Sequence, residues 1–304
     1  MEKSMGMVLV GTAGWEHEDF DRVFYPAERM ASSAKLASYA RSFDAVEVRS
    51  TFWDDTLSET DAKEWLDAVG ENSRFRFLVK LHQSFTHRKI VPPGATRTVR
   101  GLLQELARHD RLGAVLLQFP FSFTNTSAHR FHVTKLSEIF AGFPLHAEFR
   151  HDSWNQASLL PFLAEHGLRA VNADLPRVAH LMPFGTGTIG DTAYLRLHGR
   201  NERGWLANSW DARYDYLYNS KELREIARRV SLLTEKCRRV LVICNNTTGG
   251  KAVATALQLS AAAGRERKIE VPERALEAFP VLQEIARPEP PGALFQTAAY
   301  RRAG

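Results

Sequence analysis

Short apolar runs alternate with longer stretches of helical spacing from one end of the chain to the other. Residues 7–10, 45–51, 75–82, 114–119, 145–150, 169–174, 194–200 and 240–245 are rich in Val, Ile, Leu, Phe and Ala, the length and composition of strands. Between them, residues 35–43, 58–69, 96–108, 131–140, 157–166, 221–236 and 251–263 bring back an apolar residue every third or fourth position, as Leu36, Tyr39, Ala40 and Phe43 do. That spacing predicts helices with one buried face. Ser58-Glu59-Thr60-Asp61 offers caps for the helix at 58–69, and Gly167 is placed to end the one at 157–166. The link 175–191 breaks the rhythm: Pro176, Pro183, Gly185, Gly187 and Gly190 predict an irregular or short element there.

Eight strands, each followed by a helix or its remnant, predict an α/β fold, a single closed (β/α)8 barrel of the TIM type over residues 7–263. From Gly264 the character changes to a charged run, several prolines and a helix-like piece at 274–286. Residues 264–304 are therefore expected to form an extension that packs on the barrel exterior and then frays.

The strand at 194–200, Tyr-Leu-Arg-Leu-His-Gly-Arg, organises the candidate chemistry. Alternate side chains share a face, so Arg196, His198 and Arg200 are expected on one side and Leu195 and Leu197 on the other. Two arginines and a histidine are costly to bury without partners or water, so this face is expected to look into a solvated pocket or at opposite charge. Other strands also end in polar residues: Glu47 and Arg49, Lys80 and His82, Gln118, Glu148 and Arg150, Asn172 and Asp174, Asn245 and Asn246. In a parallel barrel these ends meet at the C-terminal mouth, the face that carries active sites in this architecture. Any one pair, such as Glu47 with Arg49, is also explained as charge neutralisation inside the barrel; polar residues at so many ends are not.

At the predicted mouth Arg49, Lys80, Arg150, Arg196 and Arg200 outnumber Glu47, Glu148 and Asp174. An anionic small molecule or nucleic acid is the partner this balance suggests, because guanidinium forks match phosphate and carboxylate. Glu47 or Glu148 would then serve as base, and His198 or His82 as proton carrier, in hydrolysis of a phosphate ester or nucleic acid. A binding module for a nucleotide, nucleic acid or sugar phosphate is the alternative, since no nucleophile motif stands out. Trp15, Phe20, Phe24 and Tyr25 follow the first strand, and Trp205, Trp210, Tyr214, Tyr216 and Tyr218 the seventh. These aromatics either stack a base or sugar, with Trp15, Trp205 and Trp210 as the contacts, or lid the barrel.

Composition narrows the picture further. A net charge of +5 and a pI near 9.3 favour anionic partners without the density of a dedicated nucleic-acid coat. Histidines and carboxylates are plentiful, but no HxH or HExxH spacing occurs, so neither a metal nor another cofactor is expected; His87 and His151, just past their strands, are read as loop hydrogen-bonders. Cys237 and Cys244 are read as buried, reduced thiols. No stretch reaches the roughly 18 apolar residues of a membrane span and no signal-like run follows Met1, so a cytoplasmic location is expected.

Gly11-Thr12-Ala13-Gly14-Trp15, Phe24-Tyr25-Pro26, Val46-Glu47-Val48-Arg49-Ser50-Thr51-Phe52, Thr86-His87, Leu116-Leu117-Gln118-Phe119-Pro120, Glu148-Phe149-Arg150-His151-Asp152-Ser153-Trp154, Arg196-Leu197-His198-Gly199-Arg200 and Asn245-Asn246 together resemble the motif set of the domain of unknown function 72 family. The resemblance runs in order from about residue 8 to residue 260. It implies a TIM-type barrel and a family without an established activity, likened on shape to the endonuclease IV-like barrels. Three positions depart from the pattern: Arg49 stands where the family has Asn, Phe52-Trp53 where it has Phe-Tyr, and Cys244 where it has Phe. The Arg49 departure adds charge to the expected pocket.

Overall fold

The computed structural model describes residues 5–27, 29–207, 209–264 and 268–287, without the side chain of Trp210. Eight parallel strands close into a barrel in sequence order: β1 (Met7–Ala13), β2 (Ala45–Val48), β3 (Arg76–Lys80), β4 (Leu112–Gln118), β5 (Leu145–Glu148), β6 (Arg169–Asp174), β7 (Thr192–Leu197) and β8 (Arg239–Cys244). β8 returns to β1 with Val8 opposite Val240 and Thr12 opposite Cys244, so the sheet has no free edge. The fold is the (β/α)8 barrel that the alternating pattern predicts.

Two buried clusters follow from the period of two along each strand. Leu9, Ala13, Ala45, Leu78, Ala114, Leu116, Tyr194, Leu241 and Ile243 fill the barrel interior, with Val171 against them. The alternate residues, among them Val10, Val46, Val79, Leu117, Leu195 and Val242, join the larger layer between sheet and helices. Outer helices form at Ser32–Ser42, Glu59–Ala68, Pro93–Arg108, Ser127–Ile139, Leu159–Glu165, Ser220–Thr234 and Lys251–Ala263. Ser58 and Asp61 form the reciprocal cap of the second of these, and Asn219 with Glu222 does the same for the sixth.

Several boundaries differ from those the sequence suggests. β2 stops at Val48, and Ser50–Phe52 coils into a 3-10 turn that brings Phe52 over the mouth. β7 stops at Leu197, and Gly199 at φ +86° turns the chain out of strand geometry. Short helices at Glu18–Val23, Gln83–Thr86, Glu202–Leu206 and Trp210–Arg213 cover the mouth side and carry too few residues for a periodic signal. The link from 175 to 191 contains no helix. Beyond the barrel, a helix at Glu273–Ala278 and a 3-10 turn at Pro280–Glu284 bury Ala275 and Leu282, and Arg274 donates to the Asp21 carbonyl at 2.9 Å. The expected fraying of the last residues lies outside the described residues. Among the described residues no helix is long and apolar enough to cross a membrane.

Candidate functional site

Parity along the strands decides what reaches the mouth. Glu47 follows inward Ala45, Lys80 follows Leu78, Gln118 follows Leu116, Arg196 and His198 follow Tyr194, and Asn245 follows Ile243. On β5 the outward residues are Leu145, Ala147 and Phe149, so His146, Glu148 and Arg150 point inward. All are buried, and apart from His146, which sits one layer lower against Tyr194, they stack directly above the apolar interior.

Their centre is a saturated ion network. The Arg196 guanidinium clamps Glu47 with Nε to Oε2 at 2.6 Å and Nη2 to Oε1 at 2.7 Å, while its Nη1 reaches Glu148 Oε2 at 2.8 Å. Tyr194 donates to Glu47 Oε2 at 2.6 Å from one layer below. Arg150 Nε approaches Glu148 Oε1 at 3.3 Å, and His198 Nε2 lies 3.2 Å from the same oxygen. Burial pushes both carboxyls up, but the Arg196 charge outweighs it, holding Glu47 below and Glu148 well below the ordinary carboxylate range. His198 takes the Asn245 amide on Nδ1 at 2.9 Å, so its proton sits on Nε2 toward Glu148. Burial lowers its pKa to about 4 despite that carboxylate, and the ring stays neutral.

Above this floor lies a pocket of about 510 Å³, within the range of small-molecule sites. Its walls are Phe52, Trp53, Pro120, Phe121, Val178, Ala179, Leu181 and Trp205, and its polar groups are Lys80, Gln83, His87, Gln118, Arg150 and Arg213. A smaller chamber of about 20 Å³, room for about one water, connects Lys80 and Arg150 to Arg49, Arg196, Tyr214 and Asn245. Two guanidinium groups lie over the Trp205 ring, Arg150 at 5.4 Å and Arg213 at 4.8 Å from its centroid. Tyr214 accepts from Arg150 at 3.4 Å; burial raises its pKa, but the Arg150 charge overrides this and leaves it below the ordinary tyrosine value. His17 Nε2 donates to the Ala13 carbonyl at 2.7 Å and lies 3.0 Å from Arg49 Nη1, and burial together with Arg49 lowers the pKa of His17 to about 4.

Other expected site residues point elsewhere. On β6 Val171 faces inward, so Asn172 and Asp174 face the helices: Asn172 donates to the Gly187 carbonyl at 2.8 Å, and Asp174 accepts from Tyr218 at 2.7 Å. Beyond the Gly199 turn, Arg200 leaves the mouth to pair with Asp174 at 2.9 Å and Glu225 at 3.2 Å. Asn246 alternates outward and donates to the Tyr216 carbonyl and Thr255 hydroxyl. Trp15 is core, edge-on to Trp65 with centroids 5.7 Å apart. His82 caps the helix Gln83–Thr86 through Ser84. Asp174, Arg200, Asn246 and Trp15 thus stand outside the mouth pocket, because their strand parity or a glycine turn directs them away. The Trp210 side chain lies outside the described residues.

Sequence reasoning missed Arg213, Phe121 and the wall from Val178 to Leu181. The wall falls in the irregular link after β6, where no periodicity marks which residues point inward. At the pocket rim His151, Asp152 and His180 bring three donor atoms within 4.8 Å of one another. His151 Nδ1 already accepts from the Ser153 amide at 3.1 Å, which ties that nitrogen to the loop.

With this geometry in view, comparison with known proteins places the chain. The family model described as "Protein of unknown function DUF72" matches residues 9–278. UPF0759 protein YunF of Bacillus subtilis (strain 168) is 27% identical over 270 residues, 83% of this chain and 93% of YunF. Among solved structures, a DUF72 family protein of Thermotoga maritima MSB8 superimposes with a TM-score of 0.74 and 32% identity, covering 84% of this chain and 98% of that one. A DUF72 family protein of Enterococcus faecalis V583 gives a TM-score of 0.73 and 25% identity over 84% and 95% of the two chains. The motifs that build the mouth and the match across nearly the whole barrel agree: the chain belongs to the DUF72 family.

Proposed function

We propose that the barrel mouth binds a small anionic molecule, no larger than a nucleotide, whose acid group meets Arg150 and Lys80 and whose body lies between Trp205, Phe52 and Phe121. One observation carries this reading. Glu47 and Glu148 are already committed to Arg196, while the Arg49 and Arg150 guanidinium groups line the open space beside them together with the Lys80 amine. A phosphate or carboxylate bridging the two guanidinium groups supplies the charge that the protein itself withholds, and the Lys80 amine adds a hydrogen bond. Arg196, the natural first candidate from sequence, is here a structural cation that orients the floor.

Hydrolysis by Glu47, Glu148 and His198 is the weaker reading. A general base works best with a pKa near the operating pH, and Glu47 and Glu148 are held below even the ordinary carboxylate value, with their oxygens occupied. Within the binding reading they are positioning groups.

The test is a melting shift. Inorganic phosphate at about ten times its dissociation constant adds about 1.4 kcal/mol of stability by mass action. Arg150→Met is expected to abolish the shift and Arg228→Met, at an exposed helix position, to preserve it, each read against its own melting temperature without phosphate. Equal shifts in both variants refute the site.

A further inference from the structure

An anion site alone does not account for a lysine at the junction of the two chambers, where a third arginine would bind phosphate better. Lys80 is the inward residue at the end of β3 and is 8% exposed, and its Nζ lies 3.7 Å from the centroid of the Phe52 ring. Among the described residues it has no ion-pair partner within 4.0 Å. The nearest acidic groups cannot serve: Glu47 is held by Arg196 and Tyr194, and Glu148 by Arg196, Arg150 and His198. The charged and titratable groups around Lys80 include Arg196 from β7, Glu47 from β2, Arg49 just beyond it, Arg150 and Glu148 from the end of β5, His87 beyond the helix Gln83–Thr86, and Arg213 and Tyr214 from the segment after β7. Burial first, and Arg196 second, hold the amine well below the ordinary lysine value.

We propose that Lys80 is a nucleophile that forms a Schiff base with an aldehyde or keto acid seated in the mouth pocket, its acid group held by Arg150. The inference rests on the anion-binding reading and extends it from binding to covalent chemistry. The Nζ lone pair forms a C–N bond to the carbonyl carbon, and the C=O pair moves to oxygen, which takes up a proton to give a carbinolamine. That oxygen then leaves as water. Overall the two amine protons depart with it and a C=N bond remains, so no oxidant or reductant is consumed. The step needs an unprotonated amine, which a buried lysine without a carboxylate partner supplies. Lys80 lines both chambers, so its nitrogen is open to a molecule in the larger one. Lys80 itself is 8% exposed, which limits the access of bulk water that would hydrolyse the imine.

The experiment is reductive trapping. Pyruvate and glyoxylate are each incubated with the full chain and sodium borohydride near neutral pH, followed by intact mass and peptide mapping. One adduct per chain is expected, heavier by the probe acid less one oxygen atom, on the peptide carrying Lys80. It should form about tenfold or more faster than on Lys63, whose side chain is exposed, the ratio that one unit of pKa difference gives. Phosphate should compete, Lys80→Arg should lose the adduct, and Arg150→Met should need more probe for the same labelling. Label spread over exposed lysines with Lys80 untouched, or a Lys80 rate still climbing like an ordinary lysine's toward pH ~10, overturns the inference. An absent adduct beside an intact phosphate shift overturns the Schiff base alone; absence of both also removes the anion site beneath it.

Discussion

Replacing Arg196 with methionine tests whether the floor of the mouth is a structural ion network. The substitution keeps an apolar stem but leaves Glu47 and Glu148, both fully buried, without their shared cation. Breaking a buried pair by removing one partner costs about 3–5 kcal/mol, because an uncompensated charge remains. A chain of this length has an unfolding entropy of about 0.6 kcal/mol per kelvin, so the expected drop in melting temperature is roughly 5–8 °C. The pH dependence carries the sharper signature. In the native protein both carboxyl pKa values are lowered, so their contribution is present above the unfolded value of about 4.3 and is lost as pH falls through the folded values. In the variant, burial is no longer opposed by Arg196, the carboxyl pKa values rise, and the deficit shrinks as pH falls from about 8 toward about 5. Adding Glu47→Gln and Glu148→Gln to Arg196→Met should recover part of the loss, since neutral amides replace the stranded charges. The assay is urea unfolding with coincident fluorescence and circular dichroism transitions. A cost below about 1 kcal/mol, or a deficit unchanged with pH, refutes the network.

Three further outcomes are expected. Arg200→Met should lower the melting temperature, because it strands buried Asp174, yet leave the phosphate shift of the native protein in place; loss of that shift would return Arg200 to the binding site. Trp205→Ala should weaken binding of adenosine monophosphate by roughly 1–3 kcal/mol in calorimetry if the ring stacks on the ligand's base, while unchanged affinity assigns Trp205 to the lid alone. Gly199→Ala should destabilise by more than about 1 kcal/mol in urea, since a Cβ there would sit 2.6 Å from Tyr216 Cβ at φ +86°; a neutral result would show that the turn is not fixed as described.

The fold was legible because the strands of a parallel barrel are apolar on both faces and the helices on one, so two periods alternate along the chain. The floor was legible where a polar residue stood two positions beyond a small or apolar one on a strand that stays regular, as Glu47 after Ala45 and Lys80 after Leu78 do. It was not legible on β6, where Arg-Ala-Val-Asn-Ala-Asp offers either face to the pocket and the outward partners of Asn172 and Asp174, Gly187 and Tyr218, stand 15 and 44 residues away. Nor did the pattern 194–200 reveal that Gly199 interrupts it and sends Arg200 outward. Arg196 shows a different limit. Sequence places a cation at the mouth, but whether that cation is free or saturated depends on two carboxylates from β2 and β5.

The most direct measurement of the central claim is anomalous diffraction from crystals soaked in selenate, a phosphate-sized anion whose selenium locates itself. The account predicts a peak in the mouth, within hydrogen-bonding reach of Arg150 and Lys80 and absent from Arg150→Met crystals. Peaks confined to the outer surface, with the mouth free of selenium, would contradict it.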